Sequence, residues 1–335
     1  MINLFKLPNH LTMLKFLSST ALAFLALTAS FSTHAQTYPV RPIKFLVPLA
    51  AGSTADILSR TIGAELAREL GQAVVVENKA GAGGTIAMAE LARSVPDGYT
   101  IAFASQGTLV FNLSLYAKPG YDSLKDFAPI ALAGGVSNIM VVPPNSPIKS
   151  AAEFAAAAKA KPGMTFSSGG SGTSHHLSGV LFGQLTQTQL QHIPYKGAPQ
   201  GILAVMTGEV DVGFFNTPTV INQIKENKLK GIGVTSLERS ALLPQLPTLD
   251  ATGVKGYEVN TWFGFIAPAG TPPEIIAKLH GLIEKIFAMP QVREKLLSQG
   301  FDIAPPQSSA AFMQIIKNDL TKWPAIIKAS GAKVD

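Results

Sequence analysis

The sequence predicts an α/β protein of two lobes joined by two crossings, with a ligand cleft at the hinge between them. Three observations predict it. About 300 residues follow the first 35 of the 335-residue chain, more than one core usually holds. Short apolar runs alternate with helical periodicity from Ile43 onward, the signature of strands covered by helices. The alternation restarts after the prolines Pro143, Pro144 and Pro147, and the chain returns at Trp262 to Pro268.

In the first unit, Ile43 to Pro48 reads as a buried strand and Asp56 to Leu70 as a helix, with apolar residues at Ile57, Leu58, Ile62, Leu66 and Leu70. Strand Val74 to Glu77, a small-residue helix through Ala92 and strand Tyr99 to Ala104 follow, and such alternation predicts a parallel sheet. The second unit opens at Ile139 to Val142 and continues with a helix near Ser150 to Ala160, strand Thr165 to Ser168 and a helix from Ser174. Strands Gln191 to Pro194, Val210 to Phe214 and Gly231 to Thr235 then alternate with helices around Ile202 to Thr207 and up to Asn227. After the return, helical spacing from Pro272 and two more helices, Val292 to Ser298 and Ala310 to Lys328, are expected to pack on the first unit. The expected division is 36–138 with 259–335 as one lobe and 139–258 as the other.

The first 35 residues read as an export signal. Lys6 and Lys15 precede an apolar run, Phe16 to Leu27, too short to span a bilayer comfortably, and Ala29, Ser30, Ser32, Thr33 and Ala35 are small. Cleavage is expected after Ala35, with release into the periplasm; the alternative is an uncleaved signal anchor. No later stretch reaches about eighteen consecutive apolar residues, the length of a membrane span. Cysteine is absent, which excludes a disulfide framework, a thiolate metal site, a cysteine nucleophile and a lipid-anchored cysteine. Of the formal charge of +6, Lys6 and Lys15 supply two, leaving +4 in the expected mature chain. Its basic residues are scattered, so no nucleic-acid partner is expected, and the charge licenses only a weak bias toward small anions.

Two loops attract attention. Ala50-Ala51-Gly52-Ser53-Thr54 lies between a strand and the helix that begins near Asp56, and Ser167 to Ser174, rich in glycine and hydroxyls, occupies the equivalent place in the second unit. Small residues let backbone approach a ligand, and helix N-terminal amides favour anions. The candidate binding residues are therefore Ala51, Gly52, Ser53, Thr54 and Asp56 on one loop and Ser168, Ser171, Gly172, Thr173 and Ser174 on the other. Phe215 and Asn216 join them at a strand end, with core packing as the alternative for Phe215. Each loop is also compatible with an ordinary capped turn, and Asp56 with helix capping alone. Gly81-Ala82-Gly83-Gly84 does not fit a dinucleotide fingerprint and reads as a ligand-adjacent turn. His175 and His176 are adjacent, not one helical turn apart, so they are read as structural and no metal is expected. Zinc-protease, nucleophile-elbow and P-loop motifs are all missing, so the chain is read as neither an enzyme nor a cofactor carrier. Trp262 and Phe263 suit hinge packing, with one wall of the pocket as the alternative.

Taken in order, Pro48 to Asp56, Glu77 to Gly84, Pro96-Asp97-Gly98-Tyr99-Thr100, Gly172 to Leu177, Pro194-Tyr195-Lys196-Gly197, Gly208 to Asp211 and Ala267 to Pro272 resemble the Bug family, the substrate-binding proteins of tripartite tricarboxylate transporters. The resemblance spans essentially the whole mature chain. It implies the two-lobed type II periplasmic binding protein fold, closing on a small carboxylate (a di- or tricarboxylate, an amino acid or an aromatic acid) held by the two loops, partly through water. It also implies the transporter's membrane subunits as partners, and a monomer is expected. A ligand-dependent co-receptor for a membrane sensor is the alternative role. Where the family commonly has a Gly-Gly pair before its Asp, this chain has Gly52-Ser53.

Overall fold

The computed structural model describes residues 38–330; the expected export signal and the expected cleavage site after Ala35 lie outside the described residues. Every element named below falls in the compact unit that begins at Arg41. The first strand, β1 (Ile43–Val47), leads into α1 (Thr54–Leu70). That helix starts where the Ser53 hydroxyl accepts the Asp56 amide and stops where Gly71 adopts a left-handed φ of 65°. It buries Leu58, Ile62 and Leu66. Next come β2 (Val74–Asn78), a 3-10 turn (Ala82–Gly84), α2 (Thr85–Ala92), β3 (Thr100–Ser105), a π turn (Gly107–Phe111) and the short α3 (Asn112–Leu115). Here β1 lies between β2 and β3, parallel to both, with Phe45 opposite Val76 and Ile101.

The 16-residue β4 (Phe127–Val142) follows. The second half then runs α4 (Ala151–Ala160), β5 (Met164–Ser168), α5 (Ser174–Thr186), β6 (Leu190–Pro194), α6 (Ala198–Met206), β7 (Val212–Asn216), α7 (Thr217–Lys225) and β8 (Lys230–Val234). The chain returns through β9 (Asn260–Pro268) and ends in α8 (Pro273–Ala288), α9 (Pro290–Ser298), the two-residue β10 (Asp302–Ile303) and α10 (Ser309–Ser330). The strand order is β2-β1-β3-β9-β4-β7-β5-β6, with β8 and β10 also on β4.

β4 belongs to both halves. From Phe127 to Ser137 it pairs antiparallel with β9, ending with Ser137 opposite Asn260. From Asn138 it pairs with β7, Asn138 facing Asn216, and with β8. The sheet is therefore mixed, not parallel as its sequence alternation predicts, because β9 comes back from the second half and runs against β3. Only Ile139 to Val142 of β4 is legible as strand in the sequence. Its earlier part is interrupted by Pro129 and Gly134, and the structure absorbs both with register shifts after Pro129 and Leu132. Gly134 takes a φ of 134°, and a Cβ there would strike the Asp302 carbonyl of β10.

Each half has its own apolar packing. Leu46, Met88, Ala102 and Phe111 pack with Phe312, Ile316 and Trp323 of α10. Met140, Phe154, Phe166, Phe182 and Tyr257 pack in the second half. Phe265 of β9 is fully buried, with its ring 5.4 Å from that of Phe103 and 5.8 Å from that of Phe45. Phe265→Ala is expected to destabilise the mature chain by about 3–5 kcal/mol, the usual cost of emptying such a site, read as a lowered urea midpoint with little change in slope.

Candidate functional site

Three helix N-termini meet at one side chain. Asn216 closes β7 and immediately precedes α7. Its Oδ1 accepts a 3.2 Å hydrogen bond from the hydroxyl of Thr54, the first residue of α1. Its Nδ2 donates over 3.5 Å to the hydroxyl of Ser174, the first residue of α5. The same amide donates to Asn138 Oδ1 of β4 at 2.6 Å, and Asn138 donates in turn to Ser178 at 2.8 Å. Asn138, Ser178, Thr54, Ser174 and Asn216 are all buried, so each bond is shielded from competing water. Thr54 and Asn216 lie on opposite sides of the cleft, and their bond spans it.

The two adjacent histidines serve the second loop. His175 Nδ1 accepts the Gly169 amide at 3.2 Å, which leaves its proton on Nε2, 3.0 Å from Asn216 Oδ1. His176 Nδ1 accepts the Gly172 amide at 3.3 Å. His176 stacks on His192 with centroids 4.1 Å apart, and His192 Nε2 lies 2.7 Å from Ser168 Oγ. Burial holds all three below the ordinary histidine value; His175 is lowered to about 4 despite its bond to Asn216. They are neutral at pH 7.

The halves close tightly around these groups. A Cβ on Gly83 would strike the Ser171 carbonyl, one on Gly107 would lie 2.8 Å from the Gly172 carbonyl, and one on Gly197 would lie 2.5 Å from Ala50 Cβ. Tyr116 of the first half donates from its hydroxyl to the Ser171 carbonyl at 3.4 Å. Beneath this seam is a chamber of about 20 Å³, lined by Leu49, Gly83, Ser105 and Gly107 from the first half and by Gly172 to His175 and Asn216 from the second. Thr261 and Phe263 of β9 complete its lining. A groove of about 330 Å³ adjoins the seam, between Ala80 to Gly84 with Tyr116 on one side and Gly169 to Ser171 with Pro194 to Lys196 on the other.

The structure thus brings Gly172, Thr173, Ser174 and Asn216 to the chamber, Thr54 to Asn216, and Ser171 to the groove. Other candidates face elsewhere. Ala51 is exposed. The Gly52 amide donates to Asp56 Oδ2 at 2.9 Å, and Asp56 Oδ1 pairs with Arg60 at 2.9 Å. Burial opposes the Asp56 charge, yet Gly52, Arg60 and Asn78 together hold its carboxyl below the usual range. Ser53 and Thr173 cap α1 and α5. Ser168 is turned to His192 and to the Gly170 amide. Phe215 is in the core against His175, ring centroids 5.0 Å apart. Sequence reasoning missed Ser105, Gly107, Thr261 and the acceptor roles of the histidines. Ser105 and Gly107 were findable, because both stand at the carboxyl end of a strand. Among the described residues no cluster of metal-ligating side chains occurs, and no helix is long and apolar enough to cross a membrane.

A two-lobed α/β fold with its polar residues gathered at the inter-lobe seam defines a solute-binding protein of the periplasmic type. Residues 58–332 match the model of the tripartite tricarboxylate transporter family receptor, and the chain belongs to that family. It is 33% identical to Protein BugT of Bordetella pertussis over 304 residues, 90% of this chain and 92% of that one. The structure of R. palustris Rpa4515 with adipate superposes with a TM-score of 0.86 at 29% identity, covering 89% of this chain and all of that one. MatC from Rhodopseudomonas palustris with bound malate gives a TM-score of 0.83 at 29% identity, covering 87% and 100%.

The histidines make stability acid-sensitive. Each charges near 6.5 when unfolded and only at lower pH when folded, so the unfolded chain binds more protons in between. Their contribution is complete above about pH 6.5 and is lost as pH falls toward 4. His192→Phe, which keeps the stack on Phe166, is expected to flatten the fall of the urea midpoint between pH 7 and pH 5; parallel curves for variant and wild type contradict this origin.

Proposed function

We propose that this receptor captures a small carboxylate between lobes 36–138 with 259–335 and 139–258, and presents it to the membrane subunits of a tripartite tricarboxylate transporter. Export through a signal cleaved after Ala35 delivers it to the periplasm. The reading rests on one observation above all: the N-termini of α1, α5 and α7 meet at Asn216 beside the chamber. Helix N-termini carry partial positive charge, so their convergence favours an anion, and Lys196 lines the adjoining groove. The adipate and malate of the two related structures are carboxylates of a size that suits the adjoining groove. Ligand stabilises the closed arrangement because α1 belongs to one lobe and α5 and α7 to the other, so the anion meets all three only when the lobes are together. The act is binding, without turnover.

Thermal shift of the mature chain against malate, adipate and a panel of aliphatic and aromatic mono-, di- and tricarboxylates tests this. A ligand at a hundred times its Kd adds about 2.7 kcal/mol of stability, so a clear rise in Tm is expected for at least one acid. Thr54→Val, which removes the bond across the cleft, is expected to reduce that rise. Failure of every acid in the panel overturns the reading.

A further inference from the structure

Among the polar side chains that line the chamber, one stands apart. Ser105 Oγ accepts the Thr108 amide, Thr173 Oγ1 donates to the Gly170 carbonyl, and Ser174, His175 and Asn216 bond to one another or to the second loop. Thr261 is 3% exposed, and its Oγ1 has no hydrogen-bond partner among the described residues. A buried hydroxyl without a partner is unfavourable, and where one persists in a lined cavity it points to something that enters the cavity.

The placement of Thr261 is set by the strand. Along β9 successive side chains face opposite ways; Thr261 and Phe263 face the chamber, while Trp262 donates to Asp319 at 2.6 Å. Thr261 is paired in register with Val136 of β4, two residues before Asn138, where β4 changes partners. The chamber floor is therefore the crossing itself. At about 20 Å³ the chamber admits a group the size of one water molecule, such as a single oxygen at the end of a larger ligand lying in the groove.

We propose that Thr261 is a specificity-determining residue of this receptor, its hydroxyl donating to a terminal oxygen of the captured carboxylate at the floor of the cleft. The proposal rests on the receptor reading above. It means that the crossing strand reads the cargo directly, and that an acid whose buried end lacks an oxygen at this depth leaves the hydroxyl unpaired and is rejected.

Thr261→Val and Thr261→Ser in the mature chain test it, with malate and adipate as probes. Valine replaces an unpartnered hydroxyl by a methyl of the same shape, so the ligand-free Tm is expected to hold or rise. Calorimetric affinity for the bound probe is expected to fall about tenfold or more, the loss of one hydrogen bond to a charged group. Serine is expected to keep most of the affinity. A valine variant that binds as tightly as wild type overturns the proposal, and so does one whose ligand-free Tm drops by several degrees, since the hydroxyl then serves the fold. If wild type binds no carboxylate in the panel, the receptor reading fails. The assignment of Thr261 is then decided by a crystal structure of the wild-type mature chain. A ligand oxygen, not a water, within hydrogen-bond distance of Thr261 Oγ1 keeps the residue as a ligand contact; a water or a protein atom as its sole partner removes it.

Discussion

The antiparallel ladder between β4 and β9 is the constraint on which the rest depends. It runs from Phe127 opposite Pro268 to Ser137 opposite Asn260, and at its end β4 turns its hydrogen bonds to β7 and β8. One strand thus enters both halves, and its neighbour marks where the chain comes back. The point at which partners change also fixes the floor of the site, because Asn138 faces Asn216 across the new pairing and Val136 faces Thr261 across the old one. Site and hinge are one place. A polar network centred on Asn216 therefore touches Thr54 on one side, Ser174 on the other and Asn138 at the crossing.

The two halves meet backbone to backbone. Gly83 lies against the Ser171 carbonyl and Gly107 against that of Gly172, while a Cβ on Gly172 would collide with the Asn112 side chain. Side chains at these positions would hold the halves apart and leave the helix N-termini unable to meet. The two histidines complement this arrangement. By accepting the Gly169 and Gly172 amides they hold the second loop in place, and they do so only while neutral. Burial, which keeps them neutral, and loop geometry are thus coupled.

Much of this was legible in the sequence, for local reasons. The alternation from Ile43, the helix starts at Ser53 and Thr173 and the placing of Asn216 at a strand end all follow from periodicity and capping, which act over a few residues. The first twelve residues of β4 were not legible, because Pro129 and Gly134 break the pattern and only distant elements, β9 and β10 foremost, make them a strand. The same holds for the chamber. Its lining comes from the first loop, the 3-10 turn, the end of β3, the second loop, the end of β7 and β9, and no local rule links such segments. Asp56 shows an ambiguity that sequence alone leaves open: an acid beside a promising loop reads as a ligand contact or as a helix cap, and its donors in the structure are Gly52 and Arg60 of its own turn and helix.

The electrostatics of the site bear on how selectivity and closure are joined. Among the described residues that line the chamber none carries a side-chain charge, since His175 is held neutral by burial. A fixed cation attracts every anion, and does so whether or not the lobes have met. Helix N-termini act differently, because their field falls off within the first turn. The Thr54 end of α1 and the Ser174 end of α5 are brought to one place by their bonds to Asn216. An anion that sits too shallowly meets one of them, and gains little over its hydration in water. On the proposed reading, one that reaches the seam meets all three, and the energy it gains there is available only with the lobes together, which would join recognition of the ligand to closure.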